Sequence, residues 1–293
     1  MENAMNILYQ SPFALAKAIK AKELTSIEVL DFFLQRVAEH NPRLNAVVAL
    51  DTERARARAL AADEAAQSGE DWGPLHGVPL TIKDALCTQG LVTVGGIPEY
   101  KDHVPGTNAI GVQKYINAGA IVFGKTNVPF MSADLQSFNE VYGTTNNPWN
   151  IERTCGGSSG GAAAAVAAGL TPLELGSDIG GSIRTPSHFN GVFGHKPSYG
   201  IVSQRGHLPP GEGIYTETDL AVVGPIGTSA SDLEQALDIL AAPTPEDSRA
   251  YSIQLPAPRT TDPAKLRVAV WADDTLCPVD ADIVAAINAA ATT

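Results

Sequence analysis

The sequence predicts an α/β fold, a single domain over residues 1–293 in which a mixed central β-sheet is covered by helices on both faces. Two observations predict it. Short apolar runs alternate with amphipathic or alanine-rich stretches along most of the chain, the order of repeated strand, helix, strand units. The runs at 78–82 (VPLTI) and 120–123 (AIVF) are close to apolar throughout, as strands covered on both faces are. With 293 residues, 44% of them hydrophobic, the chain is long enough to bury such a core.

The first helix opens at Ser11 and Pro12, a capping residue followed by a proline whose missing N–H is not needed in a first turn. Thr25 and Glu28 have the spacing of a capping box. Val29, Phe33 and Val37 then mark one face of a second helix, expected to stop at Asn41 and Pro42. An apolar strand at 46–50 follows, and Asp51 caps a charged, alanine-rich helix reaching about Ser68. Further strands read at 78–82, 120–123, 173–175 and 266–271, with helices at 108–117, 159–168 and 231–240. Two stretches rich in Gly, Pro and polar residues, 203–218 and 243–263, read as long surface loops. A helix at 280–291 comes last. Because a crossover helix normally leads into another strand, the sequence is expected to be cut short inside a βαβ unit, with its carboxyl-terminal part missing.

Twenty Lys and Arg against 32 Asp and Glu leave a net charge of −12, which disfavours nucleic acid and acidic membranes as partners. Cys87, Cys155 and Cys277 are odd in number and form no CxxC pair. Neither a disulfide framework nor a metal site is expected, and a reducing cytoplasm is the natural setting. The opening MENAMNILYQ has no basic stretch leading into an apolar core, and the most apolar run, 162–170, is about half the ~20 residues of a membrane span. No export signal or anchor is expected.

Three segments carry the candidate chemistry: GVPLTIKD at 77–84, GGSSGG at 156–161 and GSDIGGSIR at 176–184. Taken singly, Gly-rich segments are turns and a lysine near a strand end is solvated. Taken together they supply what amide cleavage through an acyl enzyme needs: a hydroxyl nucleophile, a base, and donors aimed at the developing oxyanion. Ser182 follows Ile179, Gly180 and Gly181, where missing side chains let several N–H groups crowd one oxygen. Lys83 ends an apolar strand, where burial disfavours its charged form and makes it a usable base. Ser158, both donor and acceptor, can carry the proton between them.

On these residues the chain resembles the amidase signature family, whose Ser, Ser and Lys triad is spread over a Gly/Ser-rich stretch. The similarity covers most of residues 10–240, with a core signature region of about 75–200. The resemblance implies Lys83 as base, Ser158 as a relay held by a cis Gly157–Ser158 peptide, and Ser182 as nucleophile. It implies an oxyanion hole from the N–H groups of Ile179, Gly180, Gly181 and Ser182, with Ser159, Asp178 and Arg184 bracing the network. Helix capping and a structural ion pair account for those last three nearly as well. By the same resemblance, Met131, Gln136 and Phe138 wall the substrate pocket. Two departures stand out. After GKTN at 124–127 the family commonly continues with Pro, an acidic residue and an aromatic, whereas this chain has Pro129, Phe130 and Met131. His195 in GHKP stands where a Leu is usual, and reads as a packed or hydrogen-bonded residue, since the triad needs no imidazole.

Two rival motifs share the chain. GAIVFGKT at 119–126 fits the phosphate-loop pattern, but its middle reads as strand, whose N–H groups are used in a ladder, and Pro129 blocks the helix that should follow. GGSSG at 156–160 fits the nucleophile elbow of α/β hydrolases, yet the polar NNPWNIERTC before it delivers no buried strand. The expectation is therefore hydrolysis of a carboxamide, with esters or carbamates as further substrates, through acyl-Ser182 and without a cofactor. The catalytic component of a tRNA-dependent amidotransferase is the alternative, and a nucleotide-binding protein the remote one. The expected partner is a small-molecule amide, with self-association into a homo-oligomer left open.

Overall fold

In the computed structural model, which describes residues 7–292, the Ser11 hydroxyl accepts the N–H of Phe13 at the start of helix α1 (Pro12–Lys20). Residues 1–6 of the stretch read for a leader fall outside the described residues. Helix α2 (Ser26–Leu44) opens with the expected capping box between Thr25 and Glu28 and buries Val29, Phe33 and Val37. It does not stop at Asn41 and Pro42. Pro42 falls in the last turn, where a missing N–H forfeits one bond without breaking the helix. The Asn41 side chain accepts the N–H groups of Ala46 and Val47 and so leads the chain into strand β1 (Val47–Leu50). Asp51 caps helix α3 (Thr52–Ser68), which ends at the left-handed Gly69.

Strand β2 (Pro79–Lys83) is buried at every residue, crosses over through helix α4 (Ile110–Asn117) and pairs in parallel with strand β3 (Ile121–Thr126). β1 pairs antiparallel on the other side of β3, so this sheet is mixed, in the order β1-β3-β2. Alternation along β3 sends its residues to two cores. Ile121 and Phe123 join α1, α2 and α3, whereas Ala120 and Val122 face α4.

Two short strands, β4 (Phe138–Asn139) and β5 (Gly143–Thr144), form a separate ribbon. Helix α5 (Gly160–Ala167) is buried almost throughout, and its Gly and Ala residues let it lie close to the sheet. Strand β6 (Leu173–Asp178) lies beside β2, where the Thr81 hydroxyl donates to Glu174 at 2.6 Å. After helix α6 (Arg184–Asn190) and strand β7 (Phe193–Gly194), strand β8 (Val222–Gly227) pairs antiparallel with both β6 and β7. Pro225 hides β8 in the sequence. It still serves the ladder as an acceptor, taking the N–H of His195 at 3.0 Å. Helix α7 (Ala230–Leu240), capped by Ser229, packs on this side with Leu233, Ala236 and Leu240 buried.

These elements belong to the unit Met1–Ile253; Gln254–Thr293 forms a second unit. In the latter, helix α8 (Ala281–Ala291) forms as expected. The strand expected at 266–271 does not: Leu266, Val268, Val270 and Trp271 are exposed, and no strand among the described residues pairs with them. An apolar run becomes a strand only where a neighbour takes its backbone hydrogen bonds. No helix among the described residues is long and apolar enough to cross a membrane.

Candidate active site

Lys83 is the last residue of β2, with its side chain fully buried between α5 and β6. Its Nζ stands 2.6 Å from Ser158 Oγ and 2.9 Å from Ser177 Oγ, with no carboxylate among the described residues in direct contact. Burial lowers this amine to about 7, against an opposing pull from the charges of Asp178 and Glu174. Asp84, the next residue, turns away, and its carboxylate accepts the N–H groups of Val94 and Gly95. Ser158 lies just before α5, after a cis Gly157–Ser158 peptide. No strand delivers it, so the nucleophile-elbow geometry is absent.

Ser182 lies in the turn between β6 and α6, and its carbonyl accepts the N–H of Ser159 at 3.0 Å. Ser158 and Ser182 line the same cavity, of ≈ 160 Å³, although no hydrogen bond joins their hydroxyls. Asp178 holds the turn. Burial would raise its carboxyl, but hydrogen bonds from Arg184 and from the N–H groups of Ile183, Gly181 and Arg184 outweigh that and keep it at about 2. Those bonds bear on the expected oxyanion hole. The N–H of Gly181 is spent on Asp178 Oδ1 at 2.9 Å, which leaves Ile179, Gly180 and Ser182 with N–H groups that have no partner among the described residues. Gly181 itself is required by its φ of +124°, where an added Cβ would also come within 2.8 Å of Thr185 Oγ1. Ser159 bridges α5 to β6, donating to the carbonyl of Ser177 at 3.2 Å.

Of the expected pocket residues only Met131 lines the cavity. Gln136 and Phe138 are exposed elsewhere, because the chain leaves the cavity after Ser132 and enters β4. Beside the residues of the β6 end, most of the remaining wall comes from residues between 204 and 223, and those up to 218 fall in the stretch read from sequence as surface loop. That loop is anchored beside the site: Leu208 donates its N–H to the carbonyl of Ala85 at 2.7 Å, and Gly206 accepts the N–H of Cys87 at 2.9 Å. The anchoring carries His207 to the network, with Nε2 2.7 Å from Ser177 Oγ and Nδ1 3.0 Å from the carbonyl of Pro209. Sequence reasoning missed both Ser177 and His207. The one signal available was Leu208, a large apolar residue amid Gly, Pro and polar neighbours, which marks a point of attachment. The histidine that stands out in the sequence, His195, is instead exposed and does not line the cavity.

Lys125 is buried in β3, where its Nζ donates to the carbonyl of Leu86 and to Thr88 Oγ1. Residues 121–126 pair with β1 and β2, so the phosphate-loop reading fails for want of free N–H groups. Among the described residues no cluster of His, Cys, Asp and Glu stands ready to hold a metal ion.

Comparison with known proteins identifies the family. The Amidase family model matches residues 28–293. Fatty-acid amide hydrolase 2-A of Danio rerio is 41% identical over 247 residues, covering 82% of this chain and 46% of its own length. The A component of the glutamyl-tRNA(Gln) amidotransferase of Prochlorococcus marinus (strain MIT 9303) is 41% identical over 238 residues, or 81% of this chain and 48% of its own. A solved fatty acid amide hydrolase superposes with a TM-score of 0.88 at 30% identity, covering 99% of this chain and 51% of that one. The chain thus spans about half the length of the curated relatives it matches. A family model over most of the chain, and relatives this similar on a shared α/β fold, establish that the chain belongs to the amidase signature family.

Proposed function

We propose that this chain cleaves a carboxamide bond through an acyl-Ser182 intermediate, with Lys83 as the base and Ser158 as the proton relay. The observation that carries the reading is the Lys83 amine, desolvated to about 7 and within 2.6 Å of a serine that shares a cavity with Ser182. An amine at that value is neutral in half the molecules at neutral pH and so can take a proton. As the substrate carbonyl enters, Ser182 Oγ attacks its carbon while the Ser182 proton passes to Ser158 and the Ser158 proton to Lys83. The developing oxyanion takes the free N–H groups of Ile179, Gly180 and Ser182. Lys83 then returns its proton through Ser158 to the leaving nitrogen, the C–N bond breaks and the amine departs, and water then releases the acid. The Ser158–Ser182 hydrogen bond has to form in this encounter, as catalytic hydrogen bonds commonly tighten only with substrate bound. Esters and carbamates offer the same carbonyl, and the scheme uses no cofactor.

The cavity wall favours an apolar acyl group, since Met131, Ile179, Pro209, Ile214 and Val223 line it. A free-standing amidase acting on small apolar or aryl amides is therefore preferred over the second reading, the glutaminase component of an amidotransferase. What favours the second reading is the identity to the relatives of that name. Hydrolysis of a panel of aryl, alkyl and amino-acid amides, glutamine among them, tests both. Turnover of glutamine alone would reverse the preference. Buried, unpaired Cys87 and Cys155 support a reducing cytoplasm as the setting.

A further inference from the structure

We propose that His207 is a positioning residue of this site: by accepting the proton of Ser177 it obliges Ser177 to accept from Lys83, which leaves the Lys83 lone pair facing Ser158. The inference rests on the acyl-Ser182 reading above.

Pro209 fixes the tautomer of the ring. Its carbonyl can only accept, so His207 Nδ1, 3.0 Å away, carries a proton and donates it. In a neutral imidazole the other nitrogen is then an acceptor, and among the described residues the proton within reach of Nε2 is that of Ser177 Oγ at 2.7 Å. Ser177 has one proton to give. With that proton spent on the imidazole, its oxygen meets Lys83 Nζ at 2.9 Å solely as an acceptor. A neutral lysine amine has two N–H bonds and one lone pair. One N–H is fixed on Ser177, so the lone pair is free to receive the proton of Ser158, 2.6 Å away. Without the imidazole, Ser177 could turn its proton onto Lys83 and occupy the lone pair that the reaction requires. His207 and Ser177 keep their own protons throughout, and the proton that moves runs from Ser182 through Ser158 to Lys83.

The surrounding charges suit this role. Asp178 and Glu174 of β6 act on Lys83, while Lys83 and Lys125 face the imidazole. Burial and the charge of Lys83 push His207 down to about 4, so the ring stays neutral over the range in which Lys83 titrates. The Ser177 oxygen, polarised by donating to the ring, is also a better acceptor for the ammonium that Lys83 becomes.

The test is the rate at which a fluorophosphonate probe modifies Ser182, measured from about pH 5 to about pH 9 in the wild type, His207→Leu, His207→Gln, Ser177→Ala and the double variant His207→Leu/Ser177→Ala. His207→Leu is expected to lower the plateau rate by about tenfold to a hundredfold, part of the 10²–10⁴ that general base catalysis contributes. Its inflection should move to lower pH, since the Lys83 ammonium loses a polarised acceptor. His207→Gln, whose amide oxygen can still accept from Ser177, should recover most of the rate. The double variant should be no slower than the slower single variant, because without Ser177 there is no proton to orient. If His207→Leu fails to fold, His207→Asn, whose shorter amide does not reach Ser177, takes its place against His207→Gln. A plateau within about twofold of the wild type in the acceptor-free variant, or effects of the two sites that multiply, would overturn the proposal. Labelling of Ser182→Ala at the wild-type rate would overturn the acyl-Ser182 reading itself. Loss of labelling there, with His207→Leu unaffected, would remove only the role of His207.

Discussion

Lys83 offers the sharpest test of the proposed chemistry, because its burial predicts where its proton is lost. A lysine at its ordinary value of 10.5 would be neutral in roughly one molecule in a few thousand at pH 7, whereas at about 7 half are neutral. The difference corresponds to roughly 4–5 kcal/mol of barrier that the desolvated site does not impose. The neutral fraction grows from about one hundredth at pH 5 to about nine tenths at pH 8, so acylation should rise by about 50- to 100-fold over that interval and then level off. Burst kinetics with an aryl amide, or labelling of Ser182 by a fluorophosphonate, would read that profile directly. Lys83→Ala should remove both the inflection and most of the rate. Lys83→Arg should be as inactive, because a guanidinium does not give up its proton in this range. A profile flat from pH 5 to 8, an inflection near that of free lysine, or a Lys83→Arg protein with near-normal acylation would refute the assignment of Lys83 as the base.

The same burial makes a stability prediction. The unfolded chain binds the Lys83 proton near 10.5 and the folded chain only near 7, so this residue costs stability increasingly as pH falls from about 10.5 to about 7 and constantly below. Net of two lost hydrogen bonds, Lys83→Met should stabilise the fold at pH 7 by about 1–3 kcal/mol, read in Tm, with the gain shrinking towards pH 10. Ser182→Ala should abolish turnover and probe labelling, and Ser158→Ala should slow acylation by about 10²–10⁴ while leaving the melting curve nearly unchanged; wild-type kinetics in either would remove that residue from the mechanism. Gly181→Ala should cost about 1–3 kcal/mol in a thermal or denaturant titration, because its left-handed φ and the nearby Thr185 leave no room for a methyl group. Activity should be indifferent to ATP and should survive Lys125→Met, since the buried amine of Lys125 is already committed to the carbonyl of Leu86 and the hydroxyl of Thr88; ATP binding that disappears in this variant would revive the phosphate-loop reading.

Much of this molecule is written in short-range order. Ser11, Thr25 with Glu28, and Asp51 are legible as helix starts because a cap is satisfied by residues within one turn of it. The buried strands around Leu80 and Phe123 are legible because covered strands need no polar face. Lys83, Ser158 and Ser182 could be singled out because each is embedded in a run of residues that only close backbone approach or burial explains. Elements whose reasons lie far away in the chain were not legible. β8 is a strand in spite of Pro225 because β6 and β7 flank it, and 266–271 is not one, despite its apolar run, because no strand among the described residues pairs with it. The N–H of Gly181, which the sequence left as a candidate oxyanion donor, goes to Asp178, a bond decided by how the turn closes. His207 reaches Ser177 only because Leu208 and Gly206 are bonded to the backbone at Ala85 and Cys87. Residue order alone was enough to single out the candidate groups for the proposed chemistry, since capping, burial patterns and glycine runs act over a few positions. Which histidine, which hydroxyls and which N–H groups face one another was left to the folded chain, because a hydrogen-bond network is completed by neighbours in space that no local pattern specifies.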